Sequence, residues 1–173
     1  MSTFSFKLNE DKKLKNIFII EPNYHRDFRG KLYSIFQKNY FKKNFNINFI
    51  HDKITYTKKN VIRGLHGDNK TWKLVSCLNG EVFQVIVDMR KNSPTYMKHN
   101  SYKLNSKKLK FILIPPFFAN GFCSLTNNSI YSYKLAYRGE YNDFDKQFTI
   151  KWNDENLKIK WPISNPILSK RDN

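Results

Sequence analysis

A chain of 173 residues, 40% hydrophobic and 16% aromatic with six glycines and six prolines, is long enough to bury a core and is neither collagen-like, low-complexity nor disordered. A formal net charge of +17 fits either a nucleic-acid binder or an enzyme with anionic substrates, and the excess of Lys over Arg with abundant Asn reads as a background compositional bias. The lysines are scattered in pairs (Lys12-Lys13, Lys42-Lys43, Lys58-Lys59, Lys107-Lys108) with no zinc-ligand spacing, basic helix or RNA-stacking signature, so nucleic acid is set aside as the partner.

The opening segment, Met1 to Glu10, turns polar too early for a secretory leader. Beyond it, period-two or continuously apolar runs predict strands at Ile17–Ile20, Lys31–Gln37, Asn48–Tyr56, Val61–Leu65, Trp72–Leu78 and Val82–Met89. Further runs follow at Asn100–Leu104, Lys110–Ile114, Gly121–Leu125, Ile130–Tyr137 and Phe148–Lys151. Turn signals separate them at Asn79-Gly80, Asn92-Ser93-Pro94, Asn127-Asn128 and Arg138-Gly139. A short helix is expected near Lys38–Phe45, and a turn at Lys103–Lys108. Short strands at this spacing predict an all-β sandwich or barrel with little helix, forming one domain over residues 1–173. The longest apolar run, Phe111 to Phe122, is interrupted by Pro115, Pro116 and Asn120 and falls short of the roughly 18 residues of a membrane span. Cys77 and Cys123 both lie in apolar strand runs and read as buried free thiols of a reducing compartment. A soluble cytoplasmic protein is therefore expected, with no membrane partner.

Two stretches carry chemistry. In Val61-Ile62-Arg63-Gly64-Leu65-His66-Gly67-Asp68-Asn69-Lys70-Thr71-Trp72-Lys73-Leu74-Val75, cations flank a histidine within a strand-like run, which suits an anionic substrate that must lose a proton. Arg63 and His66 are three positions apart, so a regular strand would send them to opposite faces. If both serve one pocket, Gly64 marks a bulge or a strand end. In Ile130–Tyr137, alternation puts Tyr131, Tyr133, Leu135 and Tyr137 on one face. Three phenols exceed what a dry core readily satisfies, so this face either lines a cavity or is a wet sheet surface.

With that pattern in hand, the chain resembles the dTDP-4-dehydrorhamnose 3,5-epimerase family, cofactor-free jelly-roll (cupin-type) epimerases of nucleotide-linked 4-keto sugars. Ordered blocks along nearly the whole chain carry the resemblance: Asp27-Phe28-Arg29-Gly30, Arg63-Gly64-Leu65-His66, Lys73-Leu74-Val75, Val87-Asp88-Met89-Arg90 with Ser93-Pro94-Thr95, Ile114-Pro115 with Gly121-Phe122, Trp152-Asn153-Asp154, Ile159-Lys160-Trp161-Pro162 and Leu168-Ser169-Lys170-Arg171-Asp172. The resemblance implies His66 as the base, Asp172 as its orienting carboxylate, Tyr133 as the acid on the opposite face of the sugar, and Lys73 as the cation beside the C4 oxygen. Arg29 and Arg63 match phosphate or nucleotide contacts, and Asn120, Tyr137 and His51 complete the implied substrate-binding set. It also implies a homodimer in which Arg29 reaches the partner's nucleotide site. No metal is expected, because His25, His51, His66 and His99 are isolated from one another.

Three departures bear on the substrate. The aromatic and Glu that follow the family's Asp-x-Arg-Gly block and contact thymine are here Leu32 and Ser34. The loop from His66 to Lys73 is short and lacks the usual Pro-Pro, and the family's Ala-His-Gly-Phe is Ala119-Asn120-Gly121-Phe122. The lost thymine contacts suggest a base other than thymine, and the His66–Leu74 and Tyr133–Tyr137 segments resemble a bacterial branch acting on GDP-linked 4-keto heptoses of capsule pathways, which implies a GDP-4-keto-heptose as substrate. The alternatives are a dTDP-4-keto-6-deoxyhexose, or a non-catalytic basic β-sandwich that binds an anionic glycan or RNA.

Overall fold

The computed structural model describes residues 4–173; Met1, Ser2 and Thr3, which open the segment read as lacking a leader and the expected 1–173 domain, lie outside the described residues. Thirteen strands pair antiparallel. The first sheet has six: β1 (Phe6–Glu10), β2 (Phe18–Pro22), β5 (His51–Thr57), β7 (Trp72–Asn79), β10 (Phe111–Ile114) and β12 (Ser129–Ala136), in the order β1-β2-β10-β7-β12-β5. The second has five: β6 (Ile62–Gly67), β8 (Glu81–Asp88), β9 (His99–Asn105), β11 (Phe118–Ser124) and β13 (Phe148–Thr149), in the order β13-β6-β11-β8-β9. A separate hairpin of β3 (Tyr24–Asp27) and β4 (Gly30–Tyr33) stands apart from both. The architecture is the expected jelly roll.

Three apolar clusters explain why so many strands read as continuously hydrophobic. Between the sheets lie Ile17, Val75, Ile86, Ile112, Phe118 and Phe122, among others. The outer face of the first sheet is covered by α1 (Lys38–Phe45), whose Phe41 and Phe45 project four residues apart onto one face and meet Ile20, Leu74 and Leu113. Asn46, at φ 54°, ends that helix in the left-handed conformation. Burying a phenylalanine such as Phe41 contributes about 2 kcal/mol. On the outer face of the second sheet, Leu65, Val85 and Val87 pack under Leu157, Ile159 and Trp161 of the C-terminal segment. With both faces covered, strands such as β10 and β11 are buried along their whole length.

That C-terminal segment is laced to β6. Leu65 and Ile150 exchange backbone hydrogen bonds at 3.3 and 2.9 Å, and the Ile62 amide donates to the Ile167 carbonyl at 3.1 Å. The last residues are thereby carried back across the start of β6.

Most predicted strands are present, and the helix falls on its predicted residues. The Lys31–Gln37 strand is shorter than expected and ends at Tyr33, and the Asn48–Tyr56 strand begins only at His51. Strands β1 and β3 were not anticipated. β3 has all four residues exposed and so no apolar alternation to reveal it. The Asp88-Met89-Arg90 and Ser93-Pro94-Thr95 blocks form a structural knot. Buried Asp88 is pulled down to about 2 because, against the burial that would raise it, it accepts hydrogen bonds from Arg90, Ser93 and Thr95. Cys77 and Cys123 are free and buried, and burial pushes both thiols up to about 11.

Candidate active site

Strand β6 does not run evenly against β11. His66 faces Asn120 and Arg63 faces Phe122, so three steps on β6 span two on its neighbour. The extra residue is a β-bulge at Gly64-Leu65, which reverses the alternation and lets Arg63 and His66 serve one cavity. Gly64 has φ +123°, and a Cβ there would lie 2.5 Å from the Gly121 Cα. Gly121 is equally closed, with the Arg63 carbonyl oxygen 2.7 Å from where its Cβ would be. Two facing glycines are what allow the strands to close around the bulge.

The cavity has a volume of about 280 Å³ and lies between the two sheets. His66, Arg63 and Asn120 enter from the second sheet. Tyr133, Lys73 and Leu135 enter from the first, and Asp172 from the C-terminal segment. His66 Nε2 lies 2.6 Å from Asp172 Oδ1, and both atoms are buried. Asp172 Oδ2 accepts from the Ser169 hydroxyl at 2.8 Å. Burial works to raise the Asp172 carboxyl, but hydrogen bonds from His66, Ser169 and the Gly64 amide, with the His66 charge, hold it below the usual carboxylate range. With Asp172 on Nε2, Nδ1 is the ring nitrogen without a partner among the described residues.

Lys73 is buried, and its Nζ donates to Asn120 Oδ1 at 2.8 Å and to the His66 carbonyl at 3.2 Å. Burial pushes its ammonium down to about 8, with Lys53 and Arg171 pushing the same way and Asp68 opposing them. Tyr133 packs against the core between the sheets, edge-on to Tyr131 at 4.8 Å. Burial raises its phenol well above the ordinary value, only partly offset by Arg63, so the hydroxyl keeps its proton at neutral pH. The tyrosine-rich face of β12 is divided between cavity and dry core and is not the wet sheet surface that was the alternative. Tyr131 is in the dry core, stacked on Phe122 and hydrogen-bonded to Gln84, while Tyr133 and Leu135 line the cavity.

Not every anticipated residue arrives. His51 and Tyr137 bond to each other at 3.1 Å and do not line the cavity; they stand behind Tyr141, which does, with ring centroids 5.1 and 5.3 Å from it. Arg29 sits on the β3–β4 hairpin, paired with Asp27 at 2.6 Å and away from this chain's own cavity. Conversely, Lys53, Tyr141, Gln147 and Arg171 line the cavity without having been singled out. Lys53 is the β5 residue paired with Tyr133, so a strand register would have found it. Tyr141 lies in irregular chain, where no periodicity points inward. Among the described residues, no three or more His, Cys, Asp or Glu are grouped to hold a metal.

A sequence model of the dTDP-4-dehydrorhamnose 3,5-epimerase family matches residues 11–173. The dTDP-4-dehydrorhamnose 3,5-epimerase of Salmonella typhimurium is 36% identical over 165 residues, which cover 92% of this chain and 88% of that one. The chain belongs to the dTDP-4-dehydrorhamnose 3,5-epimerase family. Solved structures agree. The Legionella pneumophila 3,5-epimerase in complex with dTDP-4-keto-L-rhamnose superposes with a TM-score of 0.89 at 32% identity, covering 97% of this chain and 90% of that one. The Bacillus anthracis dTDP-4-dehydrorhamnose 3,5-epimerase with TDP and PPi bound gives 0.89 at 32% identity, with 97% of both chains covered. Membership of this epimerase family makes the chain an isomerase, and its cavity is the place to look for the chemistry.

Proposed function

We propose that the protein inverts C3 and C5 of a dTDP-linked 4-keto-6-deoxyhexose, without a cofactor, by moving protons between its own side chains and the sugar. The observation that carries this is the pairing of His66 and Tyr133 on walls of one cavity that belong to different sheets. His66 takes the proton from the carbon beside the ketone, and the C–H electron pair moves into an enolate whose negative charge settles on the C4 oxygen. Lys73 faces that oxygen, and a fixed cation there stabilises the charge as it forms. Asp172 holds the ring of His66 and stabilises the imidazolium. Tyr133 then delivers a proton to the carbon from the other face, the ketone reforms, and solvent resets both residues. Arg63, with Lys53 and Arg171 beside it, takes the diphosphate.

Arg29 points away from this cavity on an exposed hairpin whose Phe28 is 97% accessible, which supports a homodimer in which that hairpin serves the partner's nucleotide site. Gel filtration is expected to give a dimer, and an active monomer would contradict it. The buried free thiols accord with a cytoplasmic enzyme.

A GDP-4-keto-heptose remains a second reading, favoured by Leu32 and Ser34 where the family carries its thymine contacts; the family's curated relatives favour the dTDP sugar. One experiment tests both: NMR of dTDP- and GDP-linked 4-keto sugars with the protein in D2O. Deuterium entering C3 and C5 of the dTDP sugar, lost in His66→Asn, supports the proposal. Exchange with the GDP sugar alone moves the assignment to the second reading, and exchange with neither refutes both.

A further inference from the structure

Asp68 lies in the short loop joining β6 to β7, between His66 and Lys73, and is buried. Its Oδ1 is used locally, accepting from the Lys70 amide at 2.9 Å and the Thr71 amide at 2.7 Å in the manner of an Asx turn. Its Oδ2 is buried with no partner among the described residues, and so is the Thr71 hydroxyl. A turn of this kind needs one oxygen, which an asparagine supplies as well. Burying a full negative charge costs several kcal/mol, so a carboxylate here is stable only with a counter-charge nearby.

Lys73 has the complementary deficit. Its buried ammonium bonds to two neutral oxygens, and among the described residues no carboxylate lies within 4 Å of it. The groups around the cavity make matters worse. Lys53 from β5 and Arg171 from the C-terminal segment both act against its charge, and Arg63 adds a further cation from β6. Asp172 is committed to His66 and Ser169, and Asp143 caps the 3-10 turn at Phe144–Lys146. Lys73 Nζ reaches the His66 carbonyl at 3.2 Å, two residues before Asp68 on the same turn of chain, and Asp68 is the negative group that acts in its favour.

We propose that Asp68 is a positioning residue for the cavity's cation: its buried carboxylate is the counter-charge that keeps the Lys73 side chain an ammonium where the enolate oxygen forms. This rests on the role proposed above for Lys73. Without Asp68, burial and the neighbouring cations drive Lys73 toward a neutral amine, which stabilises an enolate poorly. The loop's shortness has a use in this light, because it keeps a buried anion between the base and the cation in sequence.

The test is NMR titration of the full chain carrying 13Cε-lysine, with the Lys73 resonance assigned by its absence in Lys73→Met. Asp68→Asn and Asp68→Ser both retain an oxygen for the turn and remove the charge, so either serves if the other fails to fold. The midpoint of Lys73, near 8 in the parent protein, is expected to fall by about one pH unit in the variants. Deuterium exchange into substrate at pH 8 is then expected to drop about fivefold and to recover toward the parent rate at pH 6. An unchanged Lys73 midpoint in a folded variant overturns the proposal and leaves Asp68 a turn residue. A shifted midpoint with unchanged exchange upholds the counter-charge and removes Lys73 from the reaction.

Discussion

Replacing Asp172 by asparagine isolates what the buried carboxylate does for His66. The side chain keeps its shape and one oxygen, and loses its charge and one acceptor. Asp172 Oδ1 lies 2.6 Å from Nε2, and its charge centre is therefore about 4 Å from that of the imidazolium. At the effective dielectric of about 20 that suits partly buried pairs, two unit charges at that separation interact by about 4 kcal/mol. The imidazolium exists only after His66 has taken the proton, so this stabilisation belongs to the enolate-forming step. Its loss is worth roughly a thousandfold in rate. The assay is single-turnover deuterium exchange at C3 and C5, read by NMR, with thermal unfolding as a control for the fold. An exchange rate within threefold of the parent protein would refute the reasoning and reduce Asp172 to a scaffold residue. The linkage sign adds a second readout. The folded carboxyl is held below its unfolded value, so its contribution to stability is present above about pH 4 and lost as pH falls through the folded value. Asp172→Asn should accordingly flatten the acid limb of the stability curve.

Lys73→Met should abolish most exchange and, by leaving the buried Asp68 carboxylate without its counter-charge, should lower stability in urea denaturation; parent-level exchange in the variant would contradict the role given to Lys73. In the parent protein the titration of Lys73 predicts that kcat falls above about pH 8 as Lys73 loses its charge, while stability rises between pH 8 and 10 because the unfolded chain binds the extra proton. Gly64→Ala places a methyl group 2.5 Å from the Gly121 Cα at φ +123° and should cost about 3 kcal/mol or more in chemical denaturation; a change below 0.5 kcal/mol, roughly the surface-substitution level, would mean the bulge is not locked. Cys77 and Cys123 should resist Ellman's reagent in the native protein and react fully in denaturant, because burial holds both thiols near 11; rapid native labelling would show that the core opens.

Much of the site could be read because its constraints are local. The odd separation of Arg63 and His66 required a break in strand alternation, and only Gly64 offered one; the bulge is there. The helix Lys38–Phe45 was visible because Phe41 and Phe45 share a face and Asn46 ends it. What escaped depends on long-range placement. The β3 strand is held by pairing with β4 alone and buries nothing, so its polar residues carry no signal. His51 and Tyr137 match family positions, yet the chain from Tyr137 to Lys146 takes an irregular path that puts Tyr141 in front of them. Asp68 looked like a loop residue because nothing local records that the loop is buried.

The stereochemical outcome follows from the layering. Facing sheets pack about 10 Å apart, which is the room needed for a planar enolate between two side chains. A base and an acid on one sheet would meet the same face of the ring and return the proton where it left. With the roles proposed for them, His66 comes from β6 of the second sheet and Tyr133 from β12 of the first, so a ring lying between them would be deprotonated on one face and reprotonated on the other. The bulge at Gly64 turns His66 toward that gap, and the core packing of Tyr133 against Tyr131 fixes the opposite wall. Loosening the Tyr133 wall, by Tyr131→Ala, should leave deuterium exchange faster than inversion, because water replaces the displaced acid from either face. Equal loss of exchange and inversion in that variant would show that the two sheets do not divide the labour in this way.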